Sequence, residues 1–129
     1  MAPIAVSLQP RDPPVGVVTL IGAHDASSAT RLANELALLL DDGIGIVVDL
    51  REASFVDSRT LSVLLVARHQ AETAELGFAL VLGEGEHTQV HRIFDLTGLK
   101  TAFAVFPTLE RASAAVGAGE AGAARARVR

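Results

Sequence analysis

Asp57 and Ser58 stand where a loop turns into a helix, and they are the residues whose types point most directly to chemistry. The apolar run at 44–48, interrupted only by Gly45, predicts a buried strand before them. Leu61 and Leu64 begin a helical spacing after them. The first N–H groups of a helix lack intrahelical partners, and the helix dipole is positive there. A hydroxyl at Ser58 can therefore cap the helix or carry a phosphate.

Both interpretations of Ser58 stay open on physical grounds. As a cap, Ser58 would contribute about 1 kcal/mol to stability. As a phosphate carrier, it would gain about two negative charges next to Asp57. Asp57 itself is either a cap or the neighbour of a phosphorylated residue. A phosphate would change the binding of a partner surface more than it would change the fold.

Three other kinds of site are rejected. His87 and His91 are four residues apart, but Thr88 stands where a metalloprotease helix needs Glu, so a solvated helix face is predicted. The stretch 83–86 contains two glutamates and lacks the Lys of a phosphate loop, so it is predicted to be a turn. A Ser-His-Asp triad fails because Val56 and Thr60 replace the glycines of a nucleophile elbow. We expect no metal, no cofactor and no catalytic activity.

Composition bounds the class of protein. The 129 residues suffice for one domain with an aliphatic core, since half are hydrophobic and all five aromatic residues are Phe. The formal net charge of the chain is −4. Residues 117–129 have a net charge of +2, so residues 1–116 have a net charge of −6. An acidic body without aromatic platforms argues against nucleic acid. There is no cysteine, signal-peptide pattern or membrane-length apolar run, so we expect a soluble cytoplasmic protein without membrane insertion.

The predicted elements alternate between strands and helices. Ser27 or Ser28 is expected to cap the first helix, and Gly77 is expected to follow the second helix. The strands are predicted at about 4–8, 15–21, 44–50, 78–82 and 102–106, and the helices at about 27–42, 58–75, 87–95 and 107–116. This order implies a mostly parallel sheet with right-handed crossovers. The Ala/Gly/Arg tail at 117–129 is predicted to be disordered.

The segment 55–61, Phe-Val-Asp-Ser-Arg-Thr-Leu, resembles the signature of the STAS domain, the fold of bacterial anti-sigma factor antagonists. The segment 21–26 is similar to the family's strand-end Gly-x-x-Asp element, and 92–99 is similar to its Phe-x-x-x-Gly-Leu element. The resemblance implies a single α/β STAS domain over 1–116, with a mixed, mostly parallel sheet of about five strands and helices mainly on one face.

The resemblance also implies a function. Ser58 takes the position of the serine that a partner kinase phosphorylates, and the implied partner-binding residues are Asp25, Asp57, Ser58, Arg59 and Thr60. The implied partners are an anti-sigma factor, which is a GHKL-type serine kinase, and a phosphatase that resets the switch. Arg59 is otherwise a solvated side chain. Thr60 is an alternative acceptor or a side chain that faces neighbouring backbone or solvent. Asp25 caps the first helix or shapes the loop near Ser58.

Two other functions remain open at this point. A weak homodimer also remains open as the assembly state. One is a scaffold or sensor component of a stressosome-like STAS assembly. The other is an accessory STAS subunit of a lipid-transport ABC system. Arg59 and Thr60 stand where the family commonly has a small residue and Gly, so neither alternative is excluded.

Overall fold

A computed structural model of the chain describes residues 2–83 and 88–119. Five strands form the main sheet in the order β1-β2-β4-β6-β7, and two short strands, β3 and β5, form a separate parallel pair. The strands are β1 (Ile4–Gln9), β2 (Val15–Leu20), β3 (Gly22–His24), β4 (Gly45–Asp49), β5 (Ala53–Val56), β6 (Phe78–Val81) and β7 (Ala104–Phe106). The helices are α1 (Ala26–Asp41), α2 (Ser58–Thr73), α3 (Gln89–Thr97) and α4 (Leu109–Gly117), with a 3-10 turn at Leu99–Thr101.

The sheet is mixed and mostly parallel, as the sequence predicts. β1 pairs with β2 in the antiparallel sense, whereas β2, β4, β6 and β7 are parallel to one another. Every residue of β4 and β6 is buried. Apolar runs without alternation form these central strands because both of their faces are covered.

Three helices cover one face of the sheet and one helix covers the other. On the first face Leu36 of α1, Leu64 of α2 and Phe94 of α3 pack in one core with the sheet residues Ile46 and Leu80. On the opposite face α4 packs Ala112 and Val116 against Val47 and neighbouring strand residues. The prediction of a single α/β domain with helices mainly on one face is confirmed.

Gly45 lets α4 approach the sheet closely. A Cβ placed there would lie 2.8 Å from a methyl carbon of Val116 and 3.1 Å from the carbonyl oxygen of Gly77. A side chain at this position would force Val116 or the backbone at Gly77 to move, so glycine suits the start of the strand under α4. This explains the single interruption in the apolar run.

The ends of the first two helices share one motif, but they use different residues. After α1, Gly43 takes a left-handed conformation with φ of 74°, and Ile44 N–H bonds to the carbonyl of Leu39 at 3.0 Å. After α2, Glu75 takes the same conformation with φ of 59°, and Leu76 N–H bonds to Ala71. Both ends are Schellman motifs. The prediction that Gly77 follows α2 in this role was wrong, because the helix ends two residues earlier.

Other boundaries differ from prediction in ways that local sequence explains. The pair β3 and β5 was not predicted, since strands of three and four residues carry no readable periodicity. α4 begins at Leu109 rather than at Pro107, because Thr108 caps it. α4 also ends at Gly117, one residue beyond the predicted domain boundary. The predicted turn at 83–86 and the tail at 117–129 lie largely outside the described residues.

Candidate functional site

The candidate site is built where β3 and β5 end side by side. These strands are parallel, and His24 at the end of one pairs with Val56 at the end of the other. The next residue along each strand, Asp25 and Asp57, is the N-cap of a helix, α1 in the first case and α2 in the second. The strand pairing thus brings two helix N-termini and two carboxylates to one edge of the domain.

Asp25 caps α1 from an exposed position. Its Oδ1 accepts hydrogen bonds from Ser27 N–H at 2.9 Å and from the Ser27 hydroxyl at 2.6 Å. These bonds stabilise the carboxylate and lower the pKa of Asp25 below its ordinary value. The capping role predicted for Asp25 is confirmed, whereas the alternative prediction that Ser27 or Ser28 is the cap was wrong.

Asp57 caps α2, so the hydroxyl of Ser58 is not needed for capping. Its Oδ1 accepts a hydrogen bond from Thr60 N–H at 2.9 Å, and its own N–H donates to the carbonyl of His24 at 3.2 Å. Because Asp57 supplies the capping oxygen, the suggestion that Ser58 caps this helix was wrong. Ser58 is instead the first residue of α2.

Ser58 and Arg59 are both exposed at the start of α2. Within the described part of the chain no residue hydrogen-bonds to the Ser58 hydroxyl. An exposed hydroxyl on the first turn lies where backbone N–H groups and the helix dipole favour negative charge. This is the geometry of a group that an external enzyme can reach and modify.

Thr60 faces neighbouring backbone, one of the two orientations expected for its position at the helix start. Its side chain is fully buried, and its hydroxyl donates to the carbonyl of His24 at 3.2 Å. A direct contact with a partner, or phosphorylation of Thr60, would require α2 to open. Its bonds hold the start of α2 in place, and the grouping of Thr60 with the partner-binding residues stays a prediction.

His24 is a buried residue of this site that sequence reasoning missed. Its Nε2 lies 3.1 Å from the carbonyl oxygen of Ile21, and its Nδ1 lies 3.0 Å from the hydroxyl of Ser28. A carbonyl can only accept, so Nε2 carries a proton, and in the neutral ring Nδ1 accepts from the Ser28 hydroxyl, which also lies 3.3 Å from the carbonyl oxygen of Asp25. Burial disfavours the charged ring and lowers the pKa of His24 below 6.5. The type of His24 is visible in the sequence, but the partners of its ring are not.

Gln89 is a second residue that the sequence did not reveal. Its Oε1 accepts from Val56 N–H at 2.9 Å and its Nε2 donates to the carbonyl of Val56 at 3.0 Å. The side chain of Gln89, on α3, thus bonds to both backbone groups of the strand residue before Asp57. No spacing rule relates two positions that are 33 residues apart.

A groove of about 710 Å³ runs between α1 and α2 from Ser58 and Arg59 at one end to Gln70 at the other. Small and apolar side chains dominate its walls, and Val66 is 57% exposed there. The other lining residues are Ala33, Asn34, Ala37, Ser62, Val63 and Ala67. The groove thus gives the exposed serine a concave, largely apolar surface beside it.

The remaining histidine prediction needs a correction. His91 is buried, with its Nε2 3.0 Å from the carbonyl oxygen of Leu82, so it does not lie on a solvated helix face. His87 lies outside the described residues. Across 2–83 and 88–119, no cluster of three potential metal ligands occurs. In the same ranges, no helix has the length and apolar character needed to cross a bilayer.

Comparisons with known proteins agree with this architecture. The family model of the STAS domain matches residues 8–112. An anti-sigma factor antagonist from Mycobacterium paratuberculosis is 30% identical, with a TM-score of 0.72 over 88% of this chain and 94% of that one. A search among curated proteins returned no significant match.

Two structures of SpoIIAA share the fold at lower identity. The unphosphorylated form is 15% identical, with a TM-score of 0.63 over 85% of this chain and 94% of that one. The phosphorylated form, from Bacillus, is 20% identical, with a TM-score of 0.58 over 97% of this chain and all of that one. With the match over 8–112, these findings place the chain in the STAS domain family.

Proposed function

We propose that this STAS domain is an anti-sigma factor antagonist that is switched by phosphorylation of Ser58. In its unmodified form it binds an anti-sigma factor that is a serine kinase, and that binding releases a sigma factor. The observation that carries the proposal is the exposed, uncommitted hydroxyl of Ser58 at the first position of α2.

The cap at Asp57 makes Ser58 a suitable acceptor. The capping bond comes from Asp57, so modification of Ser58 removes no interaction that holds α2. The helix N-terminus stabilises added negative charge, by about 0.3–1 kcal/mol at an exposed site. The domain is therefore expected to stay folded when phosphorylated.

The same phosphate is expected to disrupt partner binding. Ser58 lies at one end of the groove between α1 and α2, so a kinase that phosphorylates it contacts that groove. A phosphoserine adds about 1.5–2 negative charges beside Asp57, and a surface that fits a neutral hydroxyl does not compensate them. The pairing of His24 with Val56 places Asp25 and Arg59 at the same edge of the domain, and Arg59 offers a cation to the phosphate.

The modification is a simple phosphoryl transfer. The oxygen of Ser58 forms a bond to the γ-phosphorus of ATP, the bond from that phosphorus to the β-phosphate oxygen breaks, and ADP leaves. The hydroxyl proton passes to a base of the kinase. The STAS domain supplies the acceptor and its position. A phosphatase later hydrolyses the ester.

The similarity to the Mycobacterium paratuberculosis anti-sigma factor antagonist supports this function, because 30% identity extends over most of both chains. A phosphorylated form of SpoIIAA shows that the fold accommodates a phosphate in that protein. An assembly scaffold or a transporter subunit has no comparable observation in its favour.

The proposal is tested by capture of partners from host lysate with the full chain as bait. Three baits are compared: wild type, Ser58→Ala and Ser58→Asp. We expect wild type and Ser58→Ala to retain a GHKL-type kinase, and Ser58→Asp to retain at least tenfold less, about 1.4 kcal/mol in binding free energy.

A matched control separates the position of the charge from its presence. Ser54 is exposed on β5 and lies outside the groove, so Ser54→Asp should bind as wild type does. If Ser58→Asp and Ser54→Asp capture the same partner equally well, Ser58 is not a switch. Capture of a STAS assembly or a transport ATPase by all baits would overturn the antagonist function.

A further inference from the structure

β1 forms an edge of the main sheet, with β2 on one side and no strand of the described chain on the other. In an antiparallel pair of strands, the backbone N–H and C=O groups of every second residue bond to the partner strand, and those of the residues between them face away from it. Ile21 N–H bonds to the carbonyl of Pro3 at 3.2 Å, which extends the register in which Ile4 faces Leu20. Odd-numbered residues of β1 therefore bond to β2, and Ile4, Val6 and Leu8 direct their backbone groups to the open edge.

The same three residues share one face of the sheet. Ile4 lies opposite Leu20 and Val6 opposite Val18, and both partners belong to the core under α1. At the open edge, however, Val6 is 40% and Leu8 is 56% exposed. Edge strands usually carry charge or proline that prevents further pairing. β1 contains neither, and prolines occur only on its flanks, at positions 3 and 10.

We propose that β1 pairs in the antiparallel sense with β1 of a second copy of this chain, about a two-fold axis at Val6. In this register Val6 faces Val6 of the other copy, and Ile4 faces Leu8. All three pairs are of the kind that exchanges two hydrogen bonds. The two sheets become one sheet of ten strands, and the exposed side chains form a continuous apolar stripe across the junction.

A second copy is the occupant that this edge fits best. A two-fold contact must be self-complementary, and an uncharged strand places no like charges opposite each other. β1 has no charged side chain that would select a different strand. The pairing joins two strands of six residues, whereas a standard interface buries about 800 Å² per partner, so the dimer is expected to be weak and concentration-dependent.

The test is sedimentation velocity of the full chain, with the N-terminus free of any tag, from about 10 µM to about 1 mM. We expect wild type to shift from monomer towards dimer over this range. Val6→Lys places like charges on the two-fold axis and should stay monomeric. Val66→Lys, the same change at an exposed valine in the groove between α1 and α2, should self-associate as wild type does.

Single-cysteine variants test the register, since the chain has no cysteine of its own. Residues facing each other in such a pair have Cα atoms about 5.5 Å apart, within reach of a disulfide. Val6→Cys should therefore cross-link on oxidation, whereas Ser7→Cys should not. A monomeric wild type at every concentration would overturn the proposal and leave the edge to a strand of another protein. Self-association of Val6→Lys at the wild-type level, or equal cross-linking at both positions, would also overturn it.

Discussion

The hydroxyl of Thr60 donates a hydrogen bond to the backbone carbonyl of His24 at 3.2 Å, although the two residues are 36 positions apart in the chain. The same carbonyl accepts the N–H of Asp57. One oxygen at the end of β3 therefore fixes the start of α2, and Asp25, the next residue, starts α1. Buried bonds set the position of Ser58, while Ser58 itself stays exposed.

Loss of the Thr60 hydroxyl should destabilise the domain modestly. Thr60→Val keeps the shape of the side chain but removes the donor to His24, which should lower the free energy of unfolding by about 1 kcal/mol. Urea denaturation monitored by circular dichroism measures this change. The control is Thr30→Val, at an exposed position of α1, which should stay within about 0.5 kcal/mol of wild type. Equal effects at both positions would contradict the assigned role of the buried bond.

Substitutions at Asp57 should separate capping from charge. Asp57→Ala removes the cap of α2 and should cost about 1 kcal/mol, within a range of about 0.5–2. Asp57→Asn keeps a capping oxygen and should unfold at nearly the wild-type denaturant concentration. If the carboxylate orients the Ser58 hydroxyl for the kinase, the kinase should phosphorylate Asp57→Asn more slowly than wild type although the variant is equally stable. Wild-type phosphorylation rates for Asp57→Asn would refute the orienting role.

His24 should make stability depend on pH. Burial lowers its pKa below 6.5 in the folded state, so between the two pKa values the unfolded chain binds more protons. Stability from His24 is therefore complete above pH 6.5 and is lost as pH falls below that value. The slope is at most about 1.4 kcal/mol per pH unit for one proton. Urea unfolding at pH 7.5 and pH 5.5, about one unit on either side of 6.5, measures the difference.

Arg31 and Asp25 are charged groups that act on the ring of His24, one opposing and one favouring its protonation. The variant His24→Gln removes the titrating group and should flatten the pH dependence between those two values. The lowered pKa of Asp25 acts only below 3.8 and does not interfere. An unchanged pH dependence in His24→Gln would show that the effect arises elsewhere.

Glu75 offers a stabilising substitution. A left-handed conformation costs a non-glycine residue about 1–2 kcal/mol, and glycine avoids this cost. Glycine also loses more conformational entropy on folding, which offsets about 0.5–1 kcal/mol of the gain. Glu75→Gly should thus raise the free energy of unfolding by about 0.5–1 kcal/mol. Thr73→Gly, inside the last turn of α2, should lower it. Thermal unfolding should show a higher midpoint temperature for Glu75→Gly and a lower one for Thr73→Gly. A loss of stability in Glu75→Gly would contradict the left-handed conformation of Glu75.

The sequence predicts the framework well where patterns extend over many residues. The apolar runs of β4 and β6 and the leucine spacing of α1 and α2 fix the order of the elements and the covered faces. The match to a family pattern at 55–61 places Ser58 at a helix start, and the structure agrees. These features are local, so a single sequence suffices to see them.

Features that depend on contacts between distant segments were not predictable. The Gln89 side chain reaches Val56 from another helix, and the burial of Thr60 depends on where β3 ends. The pair β3 and β5 contains a register shift between Gly22 and Ala23, which hides any alternation. Glu75 takes a conformation for which glycine is the usual signal, so a composition rule misplaces the helix end.

The most direct test of the switch at Ser58 uses the captured kinase itself. The purified domain is incubated with that kinase and ATP, the modified residue is located by mass spectrometry, and the dissociation constant for the kinase is measured before and after modification. We predict phosphate on Ser58, a folded domain, and binding weakened by at least tenfold. Phosphate on another residue, or an unchanged dissociation constant with Ser58 fully phosphorylated, would contradict the proposed function.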